Sequence, residues 1–430
     1  MVHVVIVGGG FAGLNAAKEL GGVRDIEVTI VDKSNHHLFQ PLLYQVAMAG
    51  LSPADIAVPI RSLLARYKNI RVLQGEIRSL HLDEKRVESS FGSLKFDYLI
   101  SCCGARHSYF NHEEWEEFAP GLKTLEQATE IRRRVLSAYE AAERTDSAVE
   151  RKRLLTFVIV GGGPTGVELA GAIGEMSRFT LAKDFRNIDA AAARVILIES
   201  GQRILSMFSE SLASHAARDL EQLGVQVWTN STVTKIDADG VEVGNERILS
   251  ATVLWAAGVQ ASPLGKESGL EVDRQGRVLV QADLSVKGYP NVFVAGDQAC
   301  CIQANGTSLP GVAPVATQQG HFLAKLIRRE VQLSMLGQTP PSQTRKPFNY
   351  VDKGSMATIG RSRAIVEVGR IKLTGFLAWM MWLLVHIYFL TGFKNRTLVV
   401  LQWGWSYISF RRGARLIVNK EWRQHPHAQG

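Results

Sequence analysis

The 430-residue chain is too long for one ordinary core, and its 46% hydrophobic, 21% charged composition is that of a globular protein with two or three domains. Its net charge is +8, but seven basic residues against one acidic lie from Lys394 onward, so +6 of that charge sits in an apolar tail. This placement, with no aromatic–basic interleaving in the body, excludes a nucleic-acid groove and fits an anionic lipid surface.

The chain runs from its first residues into a predicted strand, Val2 to Val7, with no basic-apolar leader, so no export signal is expected. The strand meets Gly8-x-Gly10-x-x-Gly13 and then a helix-forming stretch. In such a loop the first glycine permits the tight turn, the second lets backbone approach a pyrophosphate, and the third lets helix pack on strand. The helix N-terminus then offers free N–H groups to the phosphates. Asp32 ends the next strand, 24 residues after Gly8, where a carboxylate meets a ribose hydroxyl. Phe96 to Ala105 is a further strand leading to a small-residue turn. It contains the adjacent Cys102 and Cys103, matched later by Cys300 and Cys301. Neither pair has C-x-x-C or metal spacing, so all four are expected to be small buried residues in a reducing compartment, and no metal is expected.

Glu126 to Arg153, charged and Ala-rich, predicts helix. It leads into a second copy of the opening pattern: Phe157 to Ile173 carries Gly161-x-Gly163-x-x-Gly166, and Glu199 ends the following strand 38 residues after Gly161. The longer gap implies a longer crossover. A carboxylate there accepts both hydroxyls of a ribose and repels a 2′-phosphate, which favours NADH over NADPH. Ser200 and Arg203 lie close by and leave some NADPH use open. Thr252 to Val259 is the counterpart of Phe96 to Ala105, and Asn291 to Asp297 is a buried strand ending in Gly-Asp. One such fingerprint is weak evidence, but two in strand–helix context, each with its acid, imply two dinucleotides.

After a Gly/Pro/Gln-rich linker near Gly337 to Pro347 come a small β element, Tyr350 to Arg370, and the tail. Leu373 to Phe393 is long enough to span a bilayer, with only His386 ionisable. A span would place the basic end on the far side, against the positive-inside bias. Two helices lying in the interface fit better, with Trp379, Trp382, Trp403 and Trp405 at headgroup level and Arg411, Arg412 and Arg415 on anionic lipid.

Four segments together, Gly8 to Gly13, Phe39-Gln40-Pro41-Leu42-Leu43-Tyr44-Gln45-Val46-Ala47, Gly161 to Glu168 and Ala295-Gly296-Asp297, resemble the type II NADH dehydrogenases. These are single-subunit, non-proton-pumping NADH:quinone oxidoreductases of the two-dinucleotide flavoprotein superfamily, and the likeness covers nearly the whole chain.

The resemblance implies an α/β fold with two Rossmann-like domains and a C-terminal membrane-associating helical segment. Residues 1–120 and 271–335 would form the FAD domain, 121–270 the NADH domain and 336–430 the anchoring region. Gly8, Gly10, Gly13, Asp32 and Lys33 would hold the ADP half of FAD, Gly104 would pass near it and Asp297 would bond the ribityl chain. Gly161, Gly163, Gly166, Glu199 and Gly258 would hold NADH. Glu168 would sit near the nicotinamide–flavin contact, and Gln318 and Gln319 would face the quinone. Many members carry Gln where this chain has Pro314, so that quinone contact is absent here.

The expected setting is the cytoplasmic face of the inner membrane, with a membrane quinone as acceptor, and an apolar tail that allows a homodimer. A sulfide:quinone reductase is opposed by the absence of Cys between Ala105 and Ala299. A nucleotide-dependent redox sensor with slow turnover is the reading from another class.

Overall fold

The computed structural model describes residues 1–182, 184–303, 306–338, 345–390, 393–409 and 413–418. The chain divides into two units. Met1–Leu38, Ala57–His107 and Val259–Lys353 form one; Phe39–Ile56, Ser108–Gly258 and Gly354–Gly430 form the other.

The first unit is built on a six-stranded sheet in the order Ser285–Val286, Tyr289–Val294, Tyr98–Ser101, Val2–Val7, Ile26–Asp32, Ile70–Gln74. Val2–Val7 lies at its centre, parallel to both neighbours, with Val4 opposite Val28 and Tyr98. From Val4 to Val7 its side chains are buried on both faces, which is why the sequence there is a β-branched run without alternation. Helices Phe11–Leu20 and Ala313–Met335 pack together; a Cβ on Gly320 would stand 2.2 Å from the Ala12 carbonyl oxygen, so only glycine allows that approach. Beyond the linker, Arg345 fastens the chain back to this unit. Its Nε donates to Glu330 at 2.6 Å and Nη1 to Asp283 at 3.0 Å, with the guanidinium 5.2 Å from the Phe293 ring centre.

The second unit repeats the plan with four parallel strands, in the order Val225–Trp228, Arg194–Ile198, Thr156–Val160, Thr252–Trp255. Each unit also carries a three-stranded antiparallel meander, Ile77–His81, Arg86–Ser89, Gly92–Lys95 in the first and Val233–Asp237, Gly240–Val243, Glu246–Leu249 in the second. The helix predicted from Glu126 onward is Leu125–Arg144, followed by Ala148–Leu154. It starts where Thr124 and Gln127 cap each other's backbone reciprocally.

The predicted small β element is a three-stranded antiparallel sheet, Ser355–Gly360, Arg363–Val368, Ile371–Thr374. It packs on helix Pro164–Glu175, where a Cβ on Gly171 would meet the Ile359 carbonyl oxygen at 1.7 Å. Backbone against backbone cannot yield as a side chain does. Gly171→Ala is therefore expected to destabilise the protein by about 3 kcal/mol, at the top of the overpacking range, read as a fall in melting temperature; an unchanged melt would contradict this packing.

The apolar tail differs from its expected extent. Leu373 and Thr374 belong to the third strand, Gly375 sits at φ +65° and ends the extended run, and the helix is Gly375–Phe389, 15 residues. At 1.5 Å per residue it reaches about 22 Å, short of a hydrocarbon core. A second helix covers Phe393–Ser409. Among the described residues no helix is long and apolar enough to cross a membrane.

The four tail tryptophans do not share one environment either. Trp382 is buried, Trp379 and Trp403 are half-buried and Trp405 is exposed, because the first three turn toward the body of the unit. Arg415 pairs with Asp184 rather than standing free, while Arg411, Arg412, Lys420 and Arg423 lie outside the described residues.

Candidate functional site: two dinucleotide loops and an aromatic cavity

In the first unit Gly8 has φ +102°, and a Cβ there would meet the Cys102 carbonyl oxygen at 2.4 Å. A Cβ on Gly13 would lie 1.9 Å from the Gly8 carbonyl oxygen. Beside Gly10 nothing stands within 4 Å, so that face of the loop is open for a ligand to reach backbone. The Asp32 carboxylate shapes the loop: Oδ2 accepts the Gly9 N–H at 2.6 Å and Oδ1 the Ser34 N–H at 2.6 Å. Burial pushes its pKa up, and those two N–H bonds oppose the rise.

The second unit reproduces the arrangement of glycines and acid. Gly161 has φ +111°, a Cβ on Gly166 would meet the Gly161 carbonyl oxygen at 1.8 Å, and the space beside Gly163 is open. Glu199 Oε2 accepts the Gly162 N–H at 2.7 Å and Oε1 the Gly201 N–H at 2.6 Å. Each acid thus binds the middle glycine's N–H and the N–H two residues beyond itself. This leaves further lone pairs for ribose hydroxyls. The cradles fit the pyrophosphate and ribose of a dinucleotide: a helix N-terminus, an open glycine face and a placed carboxylate.

The loops differ at one contact that the sequence did not disclose. The Gly162 carbonyl accepts the Leu205 backbone N–H at 2.7 Å, whereas the Gly9 carbonyl is held by the buried side chain of His37, Nδ1 at 3.0 Å. Burial takes His37 down to about 4, so it stays neutral. Its ring meets Phe11 edge-on at 5.2 Å. The only foreshadowing was its position five residues past Asp32.

The remaining expected residues fall as follows. Lys33 is exposed just past Asp32. Gly104 turns at φ +70°, its carbonyl accepting the Ser262 N–H at 3.0 Å. Asp297 follows Gly296, itself at φ +70°, and Gly311 lies against its carboxyl, where a Cβ would sit 3.2 Å away. Gly258 turns at φ +72° beside Phe110. Gln319 is buried and accepts the Gly296 N–H at 2.7 Å through Oε1. Gln318 pairs with Val351 both ways, Nε2 to its carbonyl at 2.9 Å and Oε1 from its N–H at 3.0 Å.

Glu168 lies within the second unit on helix Pro164–Glu175 and lines a cavity of about 120 Å³. The walls include Tyr44, Gln45, Thr358, Trp379, Trp382 and Trp403. Burial pushes the Glu168 carboxyl up to about 8, opposed only by a hydrogen bond from the Thr358 backbone. At neutral pH it is a carboxylic acid, able to donate. Trp403 Nε1 donates to Gln45 Oε1 at 2.7 Å, and Gln45 Nε2 to Tyr44 Oη at 2.9 Å. These walls come from five separate stretches of chain, around Tyr44, Glu168, Thr358, Trp382 and Trp403, which pattern reading does not join.

Two carboxylate-held glycine loops, each following a central parallel strand of its sheet, define an oxidoreductase of the two-dinucleotide class. Residues 2–320 match the pyridine nucleotide-disulphide oxidoreductase family and residues 353–412 the NDH2 C-terminal domain. The chain is 44% identical to NdhA of Mycobacterium tuberculosis, a type II NADH:quinone oxidoreductase, over 97% of this chain and 90% of that one. It is 29% identical to the type II NADH:quinone oxidoreductase of Staphylococcus aureus, over 83% of this chain and 87% of that one. The structure of NDH2 from Plasmodium falciparum in complex with NADH superposes with a TM-score of 0.87 at 19% identity, over 97% of this chain and all of that one. The chain belongs to the type II NADH:quinone oxidoreductases and is an enzyme of that activity.

Proposed function

We propose that this enzyme binds FAD in the first unit and NADH in the second, and passes electrons to a membrane quinone without pumping protons. The observation that carries the two-cofactor reading is the matched pair of carboxylate-held loops. Gly8, Gly10 and Gly13 give the FAD pyrophosphate its backbone approach, Asp32 and Lys33 meet its ribose side, and Gly104 and Asp297 serve the remainder of the molecule. When bound, FAD would supply the redox chemistry between NADH and the acceptor, two electrons at a time.

Gly161, Gly163 and Gly166 cradle NADH, and Glu199 takes the ribose hydroxyls. Glu199→Ser is expected to raise the KM for NADH about tenfold, by loss of a charge-assisted bond, and to narrow the preference over NADPH. An unchanged preference in a side-by-side kinetic comparison would remove Glu199 from that role.

The cavity beside Glu168 suits a neutral, planar carbonyl acceptor. Its walls are aromatic, and its acid is protonated at neutral pH and can supply a proton. Gln318 is engaged with backbone through both amide atoms and Gln319 through Oε1, so they also position the 348–353 segment and the Gly296 turn, and both remain the candidates for the quinone side.

Membrane association is supported by the stripe Leu377, Met380, Leu384 and Tyr388, all exposed on one side of a 15-residue helix. The basic tail fits an anionic surface, and the cytoplasmic face of the inner membrane is the proposed location. The two parts are tested separately. Mass analysis of the cofactor released by heat should give FAD, and FMN or nothing would overturn the cofactor assignment. The protein should sediment with vesicles of anionic lipid, and equal sedimentation with and without vesicles would overturn the membrane assignment.

A further inference from the structure

The segment 108–112 stands beside the second dinucleotide loop and carries an aromatic ring into solvent. Phe110 is 59% exposed. An exposed phenylalanine alone means little, but this one is held in a costly conformation. Phe110 sits at φ +54° and Asn111 at φ +72°, two successive residues in the left-handed region. For a bulky side chain that backbone is strained and persists only where its surroundings enforce it.

The surroundings do enforce it. Trp255 Nε1 donates to the Ser108 carbonyl at 3.0 Å, and the Ser108 N–H donates to the Gly258 carbonyl at 3.4 Å. Tyr109 turns inward and stacks on Trp255 with centroids 5.0 Å apart, its Oη donating to the Ala119 carbonyl at 2.8 Å. Phe110 turns outward instead. Its ring lies 6.1 Å from Trp255, and its far edge covers Gly258, where an added Cβ would stand 2.6 Å from Cζ. The turn at 256–258 lies in turn on the glycine loop, since a Cβ on Gly161 would meet the Ala256 and Ala257 backbone at 2.6 Å.

Strand order decides which part of a dinucleotide this ring faces. In the second unit, Arg194–Ile198 and Thr252–Trp255 flank the central Thr156–Val160 on opposite sides. The central strand leads to the loop Gly161 to Gly166, the seat of the pyrophosphate. Glu199 follows one flanking strand, on the adenosine side. Gly258 and Phe110 stand past the end of the other, on the nicotinamide side.

We propose that Phe110 binds the nicotinamide half of NADH, its exposed ring packing against that nucleoside beside the Gly258 turn. This rests on NADH occupying the second unit. A flat ring already held in place covers a flat ligand with little loss of conformational freedom.

The test is Phe110→Leu, which keeps apolar bulk against Gly258 and removes the flat ring, beside Phe110→Tyr, which keeps the ring. In calorimetry on the holoenzyme, Phe110→Leu is expected to weaken NAD⁺ binding about tenfold, the loss of one aromatic contact. ADP, which carries only the adenosine and the pyrophosphate, should bind as it does to native enzyme. The NADH concentration that gives half-maximal flavin reduction should rise by the same factor, and Phe110→Tyr should match native enzyme in every reading.

Unchanged NAD⁺ affinity in Phe110→Leu would overturn the proposal. Equal weakening of NAD⁺ and ADP would also overturn it, by marking a general disturbance of the unit, as would a Phe110→Tyr enzyme as weak as Phe110→Leu. Failure of ADP to compete with NADH in native enzyme would instead strike the placement of NADH on which this rests.

Discussion

Gly166→Ala is expected to slow flavin reduction by NADH about 100-fold or more, the penalty for displacing a reactant by roughly 1 Å, while the protein stays yellow. The added Cβ would lie 1.8 Å from the Gly161 carbonyl oxygen, so the first turn of helix Pro164–Glu175 must move away from the loop that it closes. In the proposed assignment that turn would present its backbone N–H groups to the nicotinamide dinucleotide. The loop proposed for the flavin belongs to the other unit and depends on Gly13, not Gly166, so flavin content should hold. The mirror variant, Gly13→Ala, has the same geometry with a Cβ 1.9 Å from the Gly8 carbonyl oxygen, and is expected to yield colourless protein. Flavin absorbance after purification, and bleaching after addition of NADH, check both. A Gly166→Ala enzyme that bleaches at the native rate would break the assignment of NADH to the second loop.

Glu168→Gln should produce the second large effect. If the Glu168 carboxyl gives its proton to the acceptor, reoxidation by quinone should fall about 100-fold in the variant, the low end of what a positioned acid contributes, with flavin reduction unaffected. In native enzyme the quinone step should decline as pH rises through about 8, and in the variant that decline should vanish.

Stability carries an independent sign. The folded carboxyl binds its proton up to about pH 8, whereas the unfolded one releases it near 4.5. Its contribution is therefore fully present below about pH 4.5 and lost as pH climbs to 8, since the folded state binds more protons in that window. Glu168→Gln cannot ionise, so above pH 8 it should melt higher than native by roughly 4 °C or more. A variant that melts lower at every pH would show the carboxylate to be a structural anchor.

Much of this was visible in the residues themselves. Gly8 and Gly161 adopt φ values that only glycine takes readily, and Gly13 and Gly166 touch backbone. Such demands leave a fixed spacing in sequence. Asp32 and Glu199 were found by their distance from those glycines, since a βαβ unit sets where its second strand ends. The charged, Ala-rich stretch from Glu126 announced helix Leu125–Arg144, though its Thr124–Gln127 cap was not read from the sequence.

What pattern did not supply is whatever depends on distant segments meeting. The family-marking stretch Phe39–Ile56 leaves the unit of the first fingerprint and joins the second. The cavity gathers residues from around Tyr44, Glu168, Ile359 and Trp382. Gln318 and Gln319 were expected to face the acceptor, and pattern did not disclose that they also bind backbone, at Val351 and Gly296. The apolar run from Leu373 was read as longer than its helix because a strand and a positive-φ glycine at 375 look apolar and neutral to a hydropathy count.

Anaerobic stopped-flow on the purified enzyme tests the central claim most directly. NADH is added first and the flavin absorbance followed, and then a short-chain quinone is mixed in. Rapid bleaching by NADH, followed by rapid recovery with quinone over repeated cycles, is the result this account predicts. Bleaching by NADH that quinone fails to reverse would leave both dinucleotide sites standing and contradict the claim that electrons leave through the cavity beside Glu168.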